Sequence, residues 1–193
     1  MKKLLLHSCC GPCSTHVINV LKDRYDLTIF YYNPNIFPAE EYQKRLAEQK
    51  RYAMIMRIDV LEGEWNEKEF LELAKGHELD KEGGARCEIC FKMRLQKTAQ
   101  VAKENGFDLF ATTLSVSPHK NTMLINKVGE EVAQAEEIEF LPENFKKQNG
   151  YLDSIQISKQ YNLYRQNYCG CRFSIRKDLC SDLDLKNKNI KIH

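Results

Sequence analysis

The sequence predicts an α/β protein: a mainly parallel sheet flanked by helices, followed by a helical and loop appendage at the C-terminal end. Three observations carry that expectation. Short β-branched or apolar runs alternate with helix-period segments through the first 140 or so residues, the signature of right-handed βαβ crossovers. The chain has 193 residues, 42% of them hydrophobic, enough for one self-sufficient core. Beyond about residue 145 the alternation stops. Residues 1–145 are therefore read as the α/β domain with the cysteine-rich loops, and 146–193 as the appendage, the two forming one compact unit.

The elements follow in order. Lys3–His7 reads as a short buried strand that runs into Ser8-Cys9-Cys10-Gly11-Pro12-Cys13. The next segment places Val17, Val20 and Leu21 on one helical face. Leu27–Tyr32 has the composition of a strand, and the two prolines of residues 33–38 force a loop. Glu40 and Glu41 complement the dipole of a helix reaching about Ala53, with Tyr42, Leu46 and Ala53 inward. Ile55–Val60 reads as a third strand. Asn66-Glu67-Lys68-Glu69 resembles a capping box before Phe70, Leu73 and Ala74.

Gly83-Gly84 marks a joint before Cys87, and a helix is expected over Phe91–Asn105 with Gly106 as its stop. Asp108–Thr112 is the fourth strand, Ser117-Pro118 a turn, Asn121–Ala135 a helix and Ile138–Leu141 a fifth strand. Ligands of open α/β sheets sit beyond the carboxyl ends of the strands, where both the first cysteine group and residues 114–120 fall.

Charge excludes little. Lys and Arg exceed Asp and Glu by two, too balanced to dictate a nucleic-acid or membrane partner. The distribution is uneven, since residues 130–139 hold five acids, whereas 151–193 carry a local net charge of +4 among several aromatics. That mixture suits RNA, with Arg165, Arg172 and Arg176 as phosphate contacts, although a solvated tail over packed tyrosines explains it equally well. The first apolar run, Leu4-Leu5-Leu6, is far short of an export signal or a membrane span. A cytoplasmic protein with no membrane partner is expected.

Cysteine is the informative residue. Of eight, seven fall into three groups: Cys9, Cys10 and Cys13; Cys87 and Cys90; Cys169 and Cys171. Grouped cysteines in a reducing compartment point to metal binding or redox chemistry. Cys10-Gly11-Pro12-Cys13 between a strand and a helix admits thioredoxin-like exchange, though such a domain has no use for the other two groups. Cys87-Glu88-Ile89-Cys90 could be half of a zinc site in an RNA-binding module. An iron–sulfur cluster fits the adjacent Cys9-Cys10 pair better, because neighbours in an extended segment point to different sides. Cys169-Gly170-Cys171 is able to close a strained, labile disulfide or to add metal ligands. Cys180 reads as a small buried hydrophobe. His7 and His119 are each an acid, a ligand or a packing residue, and the terminal His193 is given no role.

Taken together, the motifs resemble the cobalamin-independent epoxyqueuosine reductases, the QueH family. The resemblance rests on His7-Ser8-Cys9-Cys10-Gly11-Pro12-Cys13-Ser14, Tyr32-Asn33-Pro34-Asn35-Ile36, and Arg86-Cys87-Glu88-Ile89-Cys90 with Arg94. It extends through Thr112–Asn121 and Leu163–Ser174. It implies a fold similar to adenine-nucleotide α-hydrolases, Rossmann-like, without their ATP-binding loop. It also implies an oxidoreductase that converts epoxyqueuosine in tRNA to queuosine by two-electron removal of the epoxide oxygen, fed by an unidentified electron donor. The family pattern gives a 4Fe-4S cluster on Cys9, Cys10, Cys87 and Cys90 and a redox-active pair at Cys169 and Cys171. Cys13 is then a cluster ligand in place of Cys9, a spare thiol, or part of a site for one additional iron.

Overall fold

A computed structural model describes residues 1–175. Five parallel strands form one sheet in the order β3-β2-β1-β4-β5. They are β1 (Lys3–His7), β2 (Asp26–Tyr31), β3 (Asp59–Glu62), β4 (Leu109–Thr112) and β5 (Glu139–Phe140). The helices are α1 (Gly11–Leu21), α2 (Ala39–Met56), α3 (Glu67–Leu73), α4 (Ala85–Glu104), α5 (Thr122–Glu136) and α6 (Gly150–Gln160). The expected parallel α/β architecture is present.

Period-two alternation along β1 explains its position. Leu5, Phe30 and Phe110 face one core with Leu95, Ala99, Ile125 and Val128 of α4 and α5. Leu4, Leu6, Ile29 and Leu109 face the other, with Val17, Ile18 and Leu21 of α1 and Tyr52 and Ala53 of α2. A strand apolar on both faces belongs in the middle of a parallel sheet. Leu4, Leu5 and Leu6 are all fully buried there, each side chain contributing roughly 1.5–3 kcal/mol.

Several boundaries differ from expectation. Helix α2 continues through Ile55 and Met56 to Arg57, whose left-handed conformation ends it, so the third strand begins only at Asp59. Ile18, not the partly exposed Val20, completes the inward face of α1. Leu73 is likewise half-exposed, while Phe70 and Ala74 are buried. Asn66 caps α3 by accepting from the Lys68 amide, and Glu69 turns away to accept from the Tyr32 hydroxyl at 2.9 Å. Helix α4 starts six residues before Phe91, which places Cys87 and Cys90 inside its first two turns. Gly106, with φ of 70°, follows the end of α4 as expected.

The C-terminal segment is tied back onto the sheet layer. Tyr151, Ile157 and Tyr161 pack against the α1–α2 core. The following strand-less stretch runs along α2, where Arg51 donates to the carbonyls of Tyr161 and Asn162, and Glu48 accepts from the Tyr164 amide. Cys180 and Arg176 lie outside the described residues, as does His193. Among the described residues no helix is long and apolar enough to cross a membrane.

Candidate functional site

The strand order reverses between β1 and β4, and the carboxyl ends of both strands open at that switch point. Leaving β1, the chain bends at Cys9 and is extended at Cys10, the N-cap residue of α1. Pro12 suits the first helical turn because its missing N–H is not needed there. Gly11 lies so close to the Glu48 carbonyl of α2 that a Cβ would sit 3.2 Å from it. Cys13 comes one turn after Cys10. The sulfurs of Cys9, Cys10 and Cys13 all lie within 4.8 Å of one another, with Cys9 and Cys10 3.9 Å apart.

Helix α4 brings the second pair. Cys87, Cys90 and Arg94 fall at i, i+3 and i+7 and share one face. Cys87 packs against the core that holds Cys9 and Cys10, and its sulfur accepts from the Gly83 amide at 3.2 Å. Cys90 packs with Phe70, Met93 and Cys171. A small cavity of about 30 Å³ is lined by Cys87, Cys90, Cys169 and Cys171 together with Arg94 and Lys120. A larger cleft of about 400 Å³ is floored by Cys9 and Cys13 and walled by His119, Lys120, Tyr151, Arg165 and Tyr168. Cys169 lines both. All three cysteine groups therefore converge, and all seven described cysteines are free thiols.

The loop of the third group is held from α2. Arg45, 1% exposed, donates to the carbonyls of Cys169 at 3.1 Å and Tyr168 at 3.2 Å while its Nε meets Glu41 at 2.7 Å. Gly170 has φ of 122°, and a Cβ there would sit 2.9 Å from the Arg45 guanidinium. Only glycine fits. Gln166 donates to the Cys10 sulfur at 3.0 Å.

Electrostatics sorts the thiols. Hydrogen bonding from Cys10 and then Cys13 holds Cys9 well below the ordinary thiol range, with Lys120 and Arg94 adding to the pull against burial. Cys10 is drawn down by Cys13, but its hydrogen bond to Cys9 and its burial outweigh this and push it up to about 12. Hydrogen bonds to Cys10 and Cys9 likewise push Cys13 up. Burial lifts Cys90 to about 12 against the opposing field of Arg94. A fully buried, high-pKa Cys10 is a poor attacking thiol, which counts against thioredoxin-like exchange. The donor set is all sulfur, which suits zinc or an iron–sulfur group.

The histidines separate cleanly. His7 is fully buried; its Nε2 donates to the Tyr32 carbonyl at 3.1 Å and its Nδ1 accepts from the Thr112 hydroxyl at 3.0 Å. Burial, then the nearby Arg94, lowers its pKa to about 4. It is a neutral packing residue and neither acid nor ligand. His119 is exposed and lines both cavities. The tyrosines of the basic segment are largely committed to packing: Tyr164 donates to Glu41 under Lys44, and Tyr168 donates to the Phe37 carbonyl beside Arg45. Arg172 is paired with Glu67 through two 2.7 Å contacts, so its charge is already met.

Sequence reasoning missed Arg45 as part of the site, and it took in Lys120, Gln166 and Arg94 only within the motifs, without giving them a role. Beyond its place in the motif with Cys87 and Cys90, the signal for Arg94 was a charge seven residues after Cys87 on a helix whose next inward residues are Leu95, Ala99 and Ala102.

A family model described as Epoxyqueuosine reductase QueH matches residues 4–177. The chain belongs to the epoxyqueuosine reductase QueH family. Members similar to it include those of Streptococcus pyogenes serotype M1, 40% identical over 90% of this chain and 70% of the relative, and Thermotoga maritima, 35% identical over 91% of each. Two solved structures share the fold at low identity. A predicted subunit of tRNA methyltransferase from Methanocaldococcus jannaschii has a TM-score of 0.51 at 13% identity, covering 81% of this chain and 76% of its own. The tRNA thiolase NcsA from Methanococcus maripaludis, solved with its 4Fe-4S cluster, has a TM-score of 0.53 at 14% identity, covering 97% and 66%. This QueH family member thus shares its parallel α/β fold with both of them.

Proposed function

We propose that this chain is an iron–sulfur oxidoreductase that converts epoxyqueuosine in tRNA to queuosine by two-electron removal of the epoxide oxygen. The observation that carries the reading is the convergence of three separate cysteine groups at the switch point of a QueH family member. Cys9, Cys10, Cys87 and Cys90 would hold a 4Fe-4S cluster, which when bound supplies electrons singly. The crowding of thiols beside Arg94 and Lys120 supports an anionic sulfur-ligated group there.

The remaining chemistry belongs to the chain itself. Cys169 and Cys171 are the redox pair: closing their disulfide releases two electrons and two protons, the amount needed to turn an epoxide into an alkene and water. Arg45 and Gly170 hold that pair at the cleft. His119 and Lys120, on the cleft wall, deliver the protons to the departing oxygen. The cleft, about 400 Å³, admits a single modified base rather than a duplex. An external electron donor restores the dithiol, and a reducing cytoplasm keeps the other thiols free. Using Cys13, Cys169 and Cys171 for one additional iron is the alternative role of the surplus thiols; about four irons per chain fits the disulfide and about five fits the extra metal.

Reduced protein incubated with tRNA carrying epoxyqueuosine should yield a nucleoside lighter by one oxygen atom in mass spectrometry. If fully loaded protein with a strong reductant never yields it, the proposal fails.

A further inference from the structure

Arg94 is the most unusual charge in the molecule. It is 2% exposed, and its Nε donates to the Cys90 carbonyl at 3.1 Å. Its Nη2 is buried without a hydrogen-bond partner among the described residues. Among the described residues no carboxylate side chain pairs with it; of the other two deeply buried arginines, Arg45 has Glu41, and Arg86 donates to the His77 and Glu78 carbonyls. A guanidinium does not discharge by losing its proton. Burying it unpaired is costly, so something anionic must answer it. Lys120 repeats the situation from the opposite wall: it lines both cavities, and no hydrogen bond or ion pair of its ammonium group is found among the described residues. Arg94 and Lys120 both line the small cavity with Cys87, Cys90, Cys169 and Cys171, and Lys120 also walls the cleft floored by Cys9 and Cys13. Both cations therefore address one set of sulfurs, and neutral thiols would leave both unanswered.

We propose that Arg94, assisted by Lys120, is the built-in counter-cation of the cysteine site and sets its reduction potential. This rests on the function proposed above. A thiolate-ligated iron–sulfur group is negatively charged and gains one further negative charge when it accepts an electron, so fixed cations at close range favour its reduced form. The low dielectric around Arg94 strengthens that preference, while Lys120, partly buried on the wall of the open cleft, is nearer solvent and contributes less. Arg94 is thus a positioning and tuning residue that needs no contact with the substrate.

The test is a mediated redox titration of anaerobically loaded protein, with iron and sulfide measured on the same samples. Arg94→Met should make reduction at least tenfold less favourable, about 59 mV more negative for a one-electron couple. Arg94→Lys keeps the charge and should stay near the wild-type potential. Lys120→Met, on an exposed turn, should shift in the same direction by less. An Arg94→Met protein with full iron and an unchanged potential would overturn the assignment. If Arg94→Met fails to fold or load, Lys120→Met decides: a lower potential supports the counter-cation role and an unchanged one overturns it. An iron-free wild-type protein would defeat the proposed function and this assignment with it, a failure read in a different sample.

Discussion

Arg45 on α2 donates across 3.1 Å to the carbonyl oxygen of Cys169, 124 residues later in the chain, while its Nε is held by Glu41. One buried side chain thereby fixes the backbone of the C-x-C loop against the helix that backs the first cysteine group. Arg45→Met removes the cation and leaves Glu41, 11% exposed, without its partner. The expected cost is about 3–5 kcal/mol of stability. Arg45→Lys places a single ammonium where a planar fork reached two carbonyls, so it should rescue stability better than turnover. Thermal unfolding alongside turnover of the modified tRNA checks both.

A second latch holds the start of the same loop. Glu48 accepts from Arg51 and from the Tyr164 amide at 2.7 Å, and these bonds lower its pKa below the ordinary 4.5. A depressed carboxylate stabilises the fold at pH above about 4.5, and that contribution disappears as pH falls through the lower folded value. Glu48→Gln should therefore cost roughly 1.5–3 kcal/mol near neutrality and lose less stability between pH 5 and 3 than the wild type. Denaturant unfolding across that range measures it; parallel curves would assign the latch no electrostatic share.

The sheet was legible because β1, β2 and β4 are short apolar runs between helical segments, and period-two burial needs no tertiary information. Ile55 was misread because a β-branched residue at a helix end looks like the start of a strand, and only the left-handed Arg57 decides the boundary. Cys87 and Cys90 were read as a loop because Gly83-Gly84 masks the start of α4, whose N-cap Gly84 makes no side-chain bond. The convergence of Cys9, Cys90 and Cys169 depends on strand order and on Arg45, neither of which local pattern encodes. His7 was ambiguous for the same reason: its two partners lie 25 and 105 residues away.

The basic C-terminal segment gives a divided RNA prediction. Arg165 is exposed at the cleft and, among the described residues, bonded only to the Ser154 carbonyl and the Ser158 hydroxyl, so its charge is available to phosphate. Arg172 is neutralised by Glu67 and lies over the Phe37 ring. Arg165→Ala should reduce the slope of log affinity for tRNA against log salt by about one unit, and Arg172→Ala should leave it unchanged. Equal slopes for all three proteins would move the phosphate contact elsewhere.

The choice between Cys9 and Cys13 as a ligand has a definite expected outcome. Arg94 lines the small cavity with Cys87 and Cys90, and the charge of Cys9 bears on it as well. Hydrogen bonding within the triad lowers the Cys9 pKa, which favours the metal-binding form, and raises that of Cys13. Cys9 thus shares a cation with the α4 pair, whereas Cys13 points its interactions back at Cys9 and Cys10. Cys9→Ser and Cys90→Ser should each lose most of the iron and sulfide and the brown colour of anaerobically prepared protein. Cys13→Ser should keep them, since a spare thiol contributes only a hydrogen bond. Loss of iron in Cys13→Ser with retention in Cys9→Ser would exchange their roles and place the cluster toward the cleft floor.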